Sequence, residues 1–126
     1  MSTITELSIA AYANSSSHGF WEDFNKTYAI LKQADPTETL SDKYVLDVKL
    51  SKIDLMHSEL GEMTEGVRKP MQDQHCPAFS SEEIELADCI IRAFDYAEAF
   101  GLRLEDAIHA KMAYNQSRPY KHGKGA

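Results

Sequence analysis

The stretch SDKYVLDVKLSKIDLMHSELGEMTEGVRK, Ser41 to Lys69, decides the fold. Its apolar residues Leu46, Leu50, Ile53, Met56, Leu60, Met63 and Val67 recur in steps of three and four. That is the period of an amphipathic α-helix, and no part of the chain alternates usefully with the period of two that marks a strand. The spacing predicts a helix that starts near Ser41 or Asp42, turns this stripe inward and stops near Lys69-Pro70, because proline disfavours helix in the residue before it.

The rest of the chain reads the same way. TITE, Thr3 to Glu6, has the form of a capping box and opens a first helix that ends in the turn-rich NSSSHG. A second helix is expected from about Phe20 to Ala34, ahead of Asp35-Pro36. MQDQHCPAF, Met71 to Phe79, reads as a loop, and SSEE, Ser80 to Glu83, is a second capping box. It launches a helix with Ile84, Ala87, Ile91 and Phe94 inward, which Gly101 ends. A last helix from about Leu104 to Ser117, with Leu104, Ala107, Ile108 and Met112 inward, precedes Pro119 and a basic tail. The expected class is all-α, a bundle of four to five helices in a single domain spanning 1–126.

Composition narrows the function. A formal charge of -7 excludes a protein that wraps polymeric nucleic acid, which needs a basic stripe to displace counterions from phosphates. No run approaches the roughly 18 apolar residues of a membrane span, and no signal-peptide pattern is present, so a cytoplasmic protein is expected. Cys76 and Cys89 lack zinc-site spacing and read as free thiols.

Glutamates stand at every third position in SELGEMTEG: Glu59, Glu62 and Glu65. Residues three apart share a helix side, so Glu59 and Glu62 point the same way, bordering the apolar stripe, whereas Glu65 rotates off that face. The next helix repeats the device in EIELADCIIRAFDYA, with Glu85 and Asp88 three apart and Arg92 one turn further on. If the two helices pack antiparallel across their loop, four carboxylates share one small volume. Left alone, the cluster is costly, since each charge raises its neighbours' pKa and loses hydration. Solvated helix faces are the plain alternative. A divalent cation removes the conflict, and an all-oxygen set suits Mg²⁺ first, with Mn²⁺ as a substitute. A di-iron site would need Glu-x-x-His motifs, which are missing here, and a calcium loop would carry its acids around a glycine and not on a helix.

SELGE, then ELADCIIRAFDYAEAFGL, then KMAYNQSRPYKHGKG together resemble the MazG-like nucleoside triphosphate pyrophosphohydrolases of the all-α NTP pyrophosphatase superfamily. The likeness is to short single-domain members, including phage-borne ones, and covers about Lys52 to Lys124. It implies hydrolysis of a (deoxy)nucleoside triphosphate between the α and β phosphorus atoms, with Glu59, Glu62, Glu85 and Asp88 as metal ligands and catalytic residues. It also implies a homodimer or homotetramer, and the host cytoplasm for a phage protein. Lys111, Asn115 and Arg118 lie at steps of four and three on the last helix, offering donors suited to phosphate oxygens. Tyr120, Lys121, His122 and Lys124 follow as a tail that can fold over a nucleotide. In HGFWEDF, His18 and the single tryptophan, Trp21, are candidates for contact with the base, against the alternative that the aromatic residues pack in the core. Two other readings stay open: an inactive nucleotide-binding or structural helical oligomer whose acids form interhelical salt bridges, and a pyrophosphohydrolase of modified or damaged nucleotides.

Overall fold

A computed structural model describes residues 2–123 and is all-α. Its helices are α1 (Ile4–Ser17), α2 (Glu22–Ala34), α3 (Thr39–Arg68), α4 (Ser81–Ala99) and α5 (Leu104–Ser117), followed by a short 3₁₀ turn, Tyr120–Gly123. α4 is central, packed between α3 and α1, while α2 lies on α3 and α5 touches α1.

Both expected capping boxes form. Thr3 Oγ1 accepts from the Glu6 backbone and Ser80 Oγ from that of Glu83, and each glutamate answers to the cap residue's own N–H. α3 begins at Thr39, slightly earlier than predicted, because the Asp35 carboxylate reaches across the turn and accepts from the Leu40 N–H at 3.1 Å. That bond satisfies a donor which the first helical turn leaves free. The 71–79 segment is a closed loop: Met71 and Phe79 carbonyls accept from the Ser81 and Asp73 amides at 2.8 and 2.9 Å.

The apolar stripe of α3 does not behave as expected. Leu46, Leu50, Leu60 and Val67 are exposed, and only Ile53, Met56 and Met63 are half-buried. The face turned to α4 is rotated from that stripe and carries Glu59 and Gly66, both buried. Glu59 therefore occupies the packed face and not its border, while Glu62 stays exposed. On α4, Ile84, Ala87 and Phe94 are half-buried but Ile91 is exposed. On α5, Leu104 and Ile108 are half-buried while Ala107 and Met112 are exposed. The reason is area: the chain exposes 9389 Å², where a folded monomer of 14.2 kDa exposes about 6,800 Å². Too few layers are present to cover every apolar face.

Gly66 lies where α3 passes close to the start of α4. A Cβ there would lie 2.9 Å from Ser81 Oγ and 3.1 Å from the Glu82 amide nitrogen, too tight without parting the helices. By contrast, a Cβ on Gly61, in the same helix, would meet nothing within 4 Å. Gly66→Ala is expected to lower stability by about 1–2 kcal/mol, overpacking outweighing the helix-propensity gain. Gly61→Ala is expected to raise it by up to about 1 kcal/mol. Thermal or urea unfolding of the two variants checks the opposite signs.

Candidate metal centre and cleft

The α3–α4 contact brings three of the four predicted ligands together. Oxygens of Glu59, Glu85 and Asp88 lie within 4.8 Å of one another. Two oxygens on one Mg²⁺ are separated by at most roughly 4.2 Å, so a small side-chain adjustment gathers them on one ion. Glu59 is 7% exposed, unusual for a carboxylate. Glu62 is exposed at the rim, close enough to Glu85 to act on it. Glu65 is exposed one turn beyond.

The electrostatics are those of crowded acids. Burial, then hydrogen bonding and like charge from Glu59 and Glu62, push the Glu85 carboxyl up to about 7. Its Oε2 is buried and makes no hydrogen bond with the protein. Asp88 is raised as well, by burial and then by Glu59, with Asp73 and Glu62 adding and Arg92 opposing. Asp73 is an acid the sequence reading passed over as loop. Its Oδ2 accepts from the His75 and Cys76 amides at 2.9 and 2.7 Å, and this turn holds it beside Asp88. The buried orphan oxygen and the all-oxygen donor set fit a hard divalent cation.

Counter-charge comes from Arg92, whose Nε donates to Glu59 Oε1 at 2.9 Å. From here a cleft of about 520 Å³ runs between α1, α3 and α4. Glu59, Asp88 and Arg92 line it at one place, and Lys52, Asn14, Ser15, Phe20 and Tyr96 elsewhere. Lys52 Nζ sits 4.4 Å over the Trp21 ring.

The other predicted residues are placed differently. Trp21 is 2% exposed, packed against Tyr12, Phe24 and Phe100, with its indole N–H donated to Asp95 Oδ1 at 2.9 Å. The ring is thus packed as the core-packing alternative expects, while its edge still lines the cleft. Neighbouring Phe20, 70% exposed, lines the cleft beside it. His18 closes α1 through Nδ1 and the Asn14 carbonyl at 2.7 Å and is not among the residues lining the cleft. Lys111, Asn115 and Arg118 belong to or follow α5, none of whose residues lines the cleft within one chain. Lys111 and Arg118 lie over the Tyr114 ring and Lys121 over Tyr120, with Tyr120 itself exposed. Lys124 is outside the described residues, as is the side chain of His122.

Among the described residues, no helix is long and apolar enough to cross a membrane. Compared with known protein families, curated proteins and solved structures, the chain matches none of them. The reading of the site therefore rests on its own residues and geometry.

A pH dependence follows from the Glu85 shift. With its folded pKa raised above the usual carboxylate range, the native state holds a proton that the unfolded chain has lost between about pH 4.5 and 7. Stability in chelator should therefore fall as pH rises through this window. A divalent ion takes the deprotonated form, so Mn²⁺ affinity should weaken as pH drops from 8 to 6. Thermal melts with and without chelator, and calorimetric Mn²⁺ titrations at each pH, measure both slopes; Glu85→Gln should flatten them.

Proposed function

We propose that the protein is a Mg²⁺-dependent nucleoside triphosphate pyrophosphohydrolase. It cleaves a (deoxy)nucleoside triphosphate between the α and β phosphates to a monophosphate and pyrophosphate, with Mn²⁺ able to substitute. The observation that carries this reading is the meeting of Glu59, Glu85 and Asp88 within 4.8 Å, two of which, Glu59 and Asp88, line a cleft that also holds Lys52, Arg92 and Phe20. Glu59, Glu85 and Asp88, with Glu62 at the rim, would hold the ion, which when bound would supply charge neutralisation, phosphate orientation and an acidified water. Glu62, exposed beside Glu85, would be the carboxylate best placed to act as a general base if it stays off the ion. Phe20 offers an apolar surface to a base, and the donors of Lys111, Asn115, Arg118, Tyr120 and Lys121, which lie outside the cleft of their own chain, would reach phosphates only across an assembly of chains.

The assembly belongs to the same proposal. The exposed α3 stripe of Leu46, Leu50, Leu60 and Val67 and roughly 2,600 Å² of surplus surface match what an obligate interface buries. A homodimer or homotetramer covers them. Sedimentation should give at least twice the 14.2 kDa chain mass, and Leu50→Glu with Leu60→Glu should dissociate or unfold the protein.

A competing reading makes the acids interhelical salt bridges in an inactive nucleotide-binding or structural oligomer, and the Arg92–Glu59 pair at 2.9 Å favours it. Activity separates the two. Each common NTP and dNTP, and modified nucleotides beside them, is incubated with Mg²⁺ or with chelator, and products are identified. Monophosphate and pyrophosphate are expected with Mg²⁺ alone. Glu62→Ala and Asp88→Ala should lose at least 100-fold in kcat at unchanged helicity, Glu65→Ala less than 10-fold. No product from any substrate would refute the enzyme.

A further inference from the structure

The cleft poses a charge problem that α5 does not solve within the chain. A triphosphate brings several negative charges to a wall already carrying Glu59 and Asp88, with Glu85, Glu62 and Asp73 behind them. The cations lining the cleft are Lys52 and Arg92. Lys52 has no carboxylate at ion-pair distance among the described residues. Arg92 is 40% exposed on its side chain and uses only Nε on Glu59. Its remaining guanidinium N–H groups are donors of the fork that suits phosphate oxygens.

We propose that Arg92, helped by Lys52, binds the polyphosphate in the cleft, and that Arg92 exchanges partners to do so. It pairs with Glu59 until a divalent cation takes the Glu59 oxygens, and then turns to the anion. The exchange follows from the cost of leaving Glu59 alone: removing one partner of a buried ion pair strands the other charge, which is far more destabilising than removing both. Arg92 can leave only when another cation replaces it. Metal and anion binding are thereby coupled, each favouring the other. This inference rests on the metal–phosphate reading of the site and assigns the cleft's phosphate contacts to residues of α3 and α4.

The test uses the full-length protein, Mn²⁺ and inorganic tripolyphosphate, which carries no base. In wild type, Mn²⁺ is expected to bind alone and tripolyphosphate to bind more tightly at fixed free Mn²⁺ than in chelator. Arg92→Ala should bind Mn²⁺ at least as tightly as wild type while losing at least 10-fold in tripolyphosphate affinity; Lys52→Ala should lose about threefold. A second pair guards against misfolding by removing both partners: in chelator, Glu59→Gln should bind tripolyphosphate more tightly than wild type, and Glu59→Gln/Arg92→Ala should lose at least 10-fold from that. If wild type binds both ligands but removing Arg92 leaves anion affinity unchanged, or weakens Mn²⁺ binding, the exchange is overturned while the function survives. If wild type binds neither ligand, the metal–phosphate reading falls too.

Discussion

The structure turns on carboxylates buried at a helix–helix contact. Packed faces are normally apolar because unpaired charge in a low-dielectric site is expensive. Here the face of α3 turned to α4 holds Glu59 at its centre, with Glu85 and Asp88 opposite. Two responses to that cost stand beside a part of it left unmet: Arg92 donates to Glu59 and the Glu85 carboxyl is pushed up to about 7, while Glu85 Oε2 stays without a protein partner. Neighbouring parts serve this contact: Gly66 lets the helices approach, and the loop returning at Ser80 brings Asp73 alongside.

Much of this was legible in the sequence because the signals were local. Capping boxes at Thr3 and Ser80, the break at Lys69-Pro70 and the spacing of the two acidic pairs depend on residues within a turn of one another. What failed depended on neighbours distant in sequence. The α3 stripe was expected inward, but which helix face is covered depends on how many layers a chain supplies, and this one supplies too few for Leu46, Leu50, Leu60 and Val67. Trp21 was legible as an aromatic after a turn, whereas its burial depends on Phe100 and Asp95, far along the chain.

The site itself was read in outline. Three of its acids meet as the pattern implied; Asp73 escaped because a lone acid in a loop carries no periodic signal, and its clue was only the Asp-x-His-Cys turn that fixes it through two amide hydrogen bonds. Lys52 escaped for another reason. A lysine beside an apolar stripe reads as a solvated flank, yet here its ammonium lies over the Trp21 ring inside the cleft.

The hydrogen bond from the Trp21 indole to Asp95 has a mechanical meaning. Asp95 follows Asp88 by seven residues, and an α-helix drifts only about 20° over that interval. A constraint on the azimuth of Asp95 is thus a constraint on the azimuth of Asp88. Because the indole is itself wedged between aromatic rings of α1 and α2 and Phe100 at the end of α4, it acts as a key that stops α4 from turning about its own axis. The aim of a carboxylate in the acidic cluster is held from two turns away by a ring whose hydrogen bond goes to Asp95.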